Sequence, residues 1–96
     1  MPQFLILATD FTDAGALARR LQVRNNHLER SKLLRMAGKF VCGGAILDET
    51  GMMRGSMLVL DMKSMEEVQQ WIAEDPYVSG RVWDAVSVKL FKMADV

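Results

Sequence analysis

Histidine is the one side chain whose unperturbed titration lies near neutral pH, which suits it to general acid/base work. The chain has a single histidine, His27. At helical spacing Arg24, His27, Ser31 and Leu34 share a face with Gly38, and Leu34 implies that this face is at least partly buried. A helix is expected to begin near Asn25, and a helix start offers free N–H groups and positive potential to an anion. The chemistry this suggests is an arginine holding an anion beside an acid/base histidine. A solvent-facing or singly hydrogen-bonded histidine fits the same spacing.

Asp75-Pro76-Tyr77 is the second group of interest. Asp75 ends one helix, because the residue before proline avoids helical angles, and it can cap a new short turn with Pro76 at its first position. That role alone explains the dipeptide. The functional role is as partner to His27. A carboxylate on one ring nitrogen orients an imidazole and leaves the other nitrogen free for proton transfer.

Other residues carry weaker signals. Gly43-Gly44 and Gly55-Ser56 sit in strand-like segments, where glycine marks a bulge or a close backbone approach. Ser56 can line a pocket, but no second base is present for a serine-hydrolase triad. Cys42 reads as an inert core thiol. Met52 and Met53, in the predicted loop Asp48–Arg54, are either partner contacts or packing over the loop base. Arg19, Arg20, Glu29, Arg30 and Lys32 read as a solvated helix face.

The elements that must position these residues follow from pattern. Phe4–Thr9, Phe40–Leu47, Ser56–Met62 and Val82–Phe91 are rich in strand formers. Asp13–Gly38 and Ser64–Glu74 read as helical, so the order is β-α-β-β-α-β. The first helical region is expected to break at Val23–Asn26, giving one helix to about Gln22 and another from about Asn25 to Ala37. Leu17, Leu21 and Leu28 fall on one face, and Gly38 suits the left-handed residue after a helix. Ser64 and Glu67 read as a capping box, with Met65, Val68, Trp71 and Ile72 on the apolar face. Gly80 closes the short turn after Asp75. Phe4–Ala8 and Met57–Leu60 are continuously apolar, as strands buried on both faces are. Val86, Val88 and Leu90 alternate with Ser87 and Lys89, as in a half-exposed strand.

This order suits a ferredoxin-like α+β antiparallel sheet with the two apolar strands in the centre and helices on one face. The other face then needs a cover, and the sheet of a second subunit supplies it, so a homodimer is expected.

Composition narrows the function. The 96 residues are 50% hydrophobic and 25% charged, as in one ordinary globular domain spanning 1–96. Twelve Lys/Arg balance twelve Asp/Glu, which argues against a nucleic-acid or anionic-membrane binder. One cysteine excludes an intrachain disulfide, and one Cys with one His cannot build a Cys/His zinc cage in one subunit. Eight scattered methionines read as core and interface filler. The apolar run Phe4–Ala8 is too short for a membrane span or a signal-peptide core, and a cytoplasmic location is expected.

The whole pattern resembles the YCII (YciI-like) family. The resemblance rests on Arg24-x-x-His27-Leu28, Leu33-Leu34 leading to Gly38, Gly43-Gly44, Gly55-Ser56, Ala73-x-Asp75-Pro76-Tyr77-Val78, Gly80 and the final strand Val86–Phe91. It implies a dimeric α/β-barrel fold and an active site built on a His–Asp pair, here His27 and Asp75. Family members with assigned chemistry include dehydrochlorinases and relatives of muconolactone isomerase. The expectation is thus a dimeric lyase or isomerase without metal or organic cofactor. Arg24 would hold an anionic group, and Ser56 and Tyr77 would line the pocket. The rival is a non-catalytic dimeric module binding a small anionic metabolite or a protein partner.

Overall fold

A computed structural model describes residues 1–96. Its elements are β1 (Gln3–Asp10), α1 (Ala16–Met36), β2 (Phe40–Leu47), β3 (Met53–Asp61), α2 (Met65–Ala73), α3 (Pro76–Ser79) and β4 (Trp83–Phe91). The strands form one antiparallel sheet in the order β2-β3-β1-β4. This is the expected ferredoxin-like arrangement, with the two continuously apolar strands at the centre. No helix is long and apolar enough to cross a membrane.

The register explains the core. Phe4 pairs with Leu60, Ile6 with Leu58 and Ala8 with Ser56, which puts these side chains on one sheet face. Val68, Trp71 and Ile72 of α2, Tyr77 of α3 and Val23 and Leu34 of α1 pack against that face. The opposite face carries the alternate pairs Leu5–Val59 and Leu7–Met57. In the single chain no helix covers it, and Leu7 is 38% exposed. So β1 buries every second residue rather than both faces. At the β4 edge Val88 reaches the core, while Val86 and Leu90 lie beyond the helix layer and are exposed.

The expected break in the first helix does not occur. α1 runs unbroken from Ala16 to Met36. Asn25 and Asn26 face solvent, where their poor propensity costs well under about 1 kcal/mol each, and Val23 is held against the core. Arg24 and His27 are therefore mid-helix, so no free backbone N–H is offered to an anion there. The inward stripe of α1 is Ala16, Arg20, Val23, His27 and Leu34, not Leu17, Leu21 and Leu28. Leu21 is 55% exposed.

Local signals at the ends of elements held. Gly38 has φ 77° after α1. Ser64 Oγ accepts from Glu67 N at 3.2 Å, but Glu67 turns its carboxylate to Lys39 Nζ at 2.9 Å instead of closing the box. Asp75 caps α3, with Pro76 in its first turn and Gly80 at its end. In the β2–β3 loop Asp48 accepts from Thr50, Met52 and Arg54, and these bonds hold its carboxyl well below the usual range. Met52 is exposed in that loop, whereas Met53 opens β3.

Candidate active site

The inward face of α1 and the strands β2 and β3 enclose a cleft of about 90 Å³. Its walls include Arg24 and His27 of α1, Gly43 and Ala45 of β2, Ser56 of β3 and Tyr77 of α3. Small residues on β2 keep it open. A Cβ on Gly43 would lie 2.9 Å from both Met57 O and Phe40 Cζ, so the floor tolerates no side chain there. All five sequence-predicted site residues belong to one constellation: four line the cleft, and Asp75 sits directly behind His27.

His27 Nδ1 lies 2.9 Å from Asp75 Oδ1 and 3.0 Å from Oδ2. Both residues are buried, Asp75 completely. A carboxylate only accepts, so Nδ1 carries the hydrogen and donates it. Nε2 then bears the lone pair. It has no partner within the chain and is not sealed from solvent. Tyr77 stacks on the ring at 3.9 Å between centroids and 13° between planes, and Trp83 meets it edge-on at 5.7 Å. These contacts fix the imidazole plane, while Asp75 fixes its tautomer.

Asp75 is held as firmly as it holds. Its Oδ1 accepts from Tyr77 N at 2.8 Å and its Oδ2 from Arg30 Nη1 at 2.8 Å. The capping role and the histidine-orienting position belong to the same carboxylate. The helix cap fixes where the side chain points, and it points at His27.

A second polar group adjoins the first. Arg20 Nη1 lies 2.9 and 2.8 Å from the two Asp10 oxygens, and Nη2 donates to Ser56 Oγ at 2.8 Å. Trp83 Nε1 also donates to Ser56 Oγ, at 3.1 Å. Arg20 and Asp10 are almost fully buried, and only Arg20 Nε lacks a partner. The reading of the α1 charges as a solvated face holds for Glu29 and Lys32, which are exposed, and is corrected for the arginines. Arg20 is an internal ion pair, Arg30 braces Asp75, and Arg19 donates to Asp13 and to Arg81 O. Arg24, half-buried at the cleft, forms no ion pair within the chain. Sequence reasoning missed Arg20, Asp10, Arg30 and Trp83. The available signal was the spacing of Ala16, Arg20, Val23 and His27, which is that of a buried helical stripe even though two members are polar. No three His, Cys, Asp or Glu side chains cluster closely enough to hold a metal ion.

Tyr77 is the only tyrosine. Burial raises its phenol above the ordinary value of 10.0, against the opposing pull of Arg20 and Arg24. The fold therefore favours the neutral phenol. Stability from this group is whole below the unfolded value near 10 and is lost as pH rises through the folded value. An absorbance titration of tyrosinate should run to higher pH in the folded chain than in urea. Coincident curves would contradict the burial argument.

Comparison with known proteins fits this geometry. The model of the YCII-related domain matches residues 3–92. Protein YciI of Escherichia coli O6:H1 is 36% identical over 95 residues, spanning 93% of this chain and 95% of its own. The 5-chloro-2-hydroxyhydroquinone dehydrochlorinase of Burkholderia phenoliruptrix, solved with 2,5-dihydroxybenzoquinone, superposes with TM-score 0.83 at 27% identity, over 96% of this chain and 95% of that one. SnoaB, a cofactor-independent oxygenase from Streptomyces nogalater, shares the fold alone, with TM-score 0.56 at 13% identity over 99% of this chain and 94% of that one. The match extends through nearly the whole sequence, and the chain belongs to the YCII-related family.

Proposed function

We propose that the protein is an acid/base enzyme of lyase or isomerase type acting on a small oxygenated ring compound or acid. One observation carries this reading. His27 Nδ1 is anchored on a buried carboxylate while Nε2 faces the cleft without a partner. His27 Nε2 takes a proton from the substrate. The electron pair left behind either expels a leaving group such as chloride, the imidazolium then passing its proton to water, or shifts a double bond, the imidazolium then returning the proton to the substrate at its new position. Asp75 holds the tautomer and balances the imidazolium charge. Arg24, with no carboxylate of its own, offers its guanidinium to an anionic oxygen. Ser56 and Tyr77 supply further polar contacts. No electron transfer occurs in such a step, so acid/base groups suffice for it. Similarity to a dehydrochlorinase supports the substrate class. The test is a screen of chlorinated hydroquinones, small ring acids and lactones with wild type and His27→Ala. Turnover by wild type that the variant lacks is the expected result. Ligand binding without turnover would favour the non-catalytic module.

We further propose that the active form is a homodimer joined through the open sheet face. Leu5, Leu7, Ile46, Met57, Val59 and Phe91 are among the apolar side chains that the strand register puts on it. Ultracentrifugation at micromolar concentration should find the dimer, and a monomer there would contradict the proposal.

A further inference from the structure

The polar groups around the cleft are unequal in donors and acceptors. Ser56 is buried, with its Oγ 2.8 Å from Arg20 Nη2 and 3.1 Å from Trp83 Nε1. A guanidinium and an indole can only donate. Ser56 must accept both bonds, which occupies its two lone pairs. Its own hydroxyl hydrogen then has no acceptor within the chain. Neither donor is free to turn away. Arg20 is locked on both Asp10 oxygens and lies over the Tyr77 ring at 4.8 Å, and Trp83 is packed in the core. A hydroxyl that accepts from a cation is polarised into a better donor. Tyr77 and Arg24 add donors with no acceptor in the chain, and the side-chain acceptors on the cleft include His27 Nε2 and Ser31 Oγ, whose own hydrogen goes to His27 O.

We propose that Ser56 is the specificity-determining donor of this site, selecting a ring that presents an acceptor oxygen (a phenol, phenolate, enolate or ring ketone) over the matching amine. The buried Asp10–Arg20 pair and Trp83 position its proton. This rests on the reading of His27 as the base and names the functional group the cleft takes. A hydroxylated ring meets both demands, with an O–H for His27 Nε2 and oxygen lone pairs for Ser56. An aromatic amine offers N–H groups but only a weak acceptor, so the Ser56 hydrogen stays unpaired when it binds.

The test titrates para-fluorophenol and para-fluoroaniline into the protein by fluorine NMR. Wild type should prefer the phenol by about three- to tenfold, the span of one net hydrogen bond. Ser56→Ala should erase that preference while leaving aniline affinity nearly unchanged. Equal affinities in wild type, a preference that survives Ser56→Ala, or binding of neither probe would each overturn the proposal. Ser56→Ala leaves two buried donors unpaired, so its folding is checked by thermal unfolding. If it does not fold, Ser56→Cys, a weak donor of similar shape, must lower the preference. The two readings fail separately. Turnover that survives His27→Ala removes the base, and preference that survives loss of the hydroxyl removes the donor.

Discussion

Asp75→Ala is expected to destabilise the folded chain by about 3–5 kcal/mol, the range for removing one partner of a buried charged pair. The carboxylate is completely buried and accepts from His27 Nδ1, Arg30 Nη1 and Tyr77 N. Alanine leaves all three donors without it. It also removes the α3 cap, which alone is worth about 1 kcal/mol. Arg30 recovers part of its loss, since it is only partly buried, keeps a bond to Trp71 O and can reach water. His27 and the Tyr77 amide cannot. Urea unfolding measures the effect, and a loss below about 1 kcal/mol would mean that this network contributes little to the fold.

His27→Ala is expected to behave in the opposite way, with a small effect on folding and a large one on turnover. Asp75 keeps Arg30 and the Tyr77 amide after the substitution, so no buried carboxylate is stranded. What disappears is the only imidazole in the cleft. A positioned acid/base group contributes about 10²–10⁴-fold, so turnover of any substrate found in the screen should fall by that order. The contrast between the two variants is informative, because a purely structural histidine would lose stability and not rate. A fall of less than about threefold would remove His27 from the mechanism.

Much of this arrangement can be read from the sequence, for identifiable reasons. Gly38, Ser64 and Asp75-Pro76 act through bonds within a few residues, and each sits where local chemistry puts it. The central strands are legible because Phe4–Ala8 and Met57–Leu60 lack polar interruptions. The His27–Asp75 pair spans 48 positions, and no local rule brings it together. The family resemblance pointed to it. Arg20 shows the limit of pattern reading. Amphipathicity assigns leucines to the core and arginines to water, yet α1 turns Leu21 outward and Arg20 inward. The charge is tolerated because Asp10, at the end of β1, meets it with both oxygens and Ser56 meets it again. That pairing depends on three elements arriving together. The expected break at Val23–Asn26 fails for the same reason, since the packing of Val23 against the core outweighs the poor local propensity.

The central claim is that Asp75 fixes His27 as the Nδ1–H tautomer and frees Nε2 as a base. Nitrogen NMR of the imidazole tests it directly, and the single histidine gives one pair of ring signals. At a pH where the ring is neutral, wild type should show a protonated Nδ1 and an unprotonated Nε2. In Asp75→Asn the amide nitrogen must replace one of the two oxygens that lie 2.9 and 3.0 Å from Nδ1. An amide nitrogen donates and cannot accept from Nδ1–H, so one of the two acceptors that favour this tautomer is lost. A shift of the ring signals toward the Nε2–H form is the predicted result in Asp75→Asn. A wild-type ring protonated at Nε2 would contradict the account.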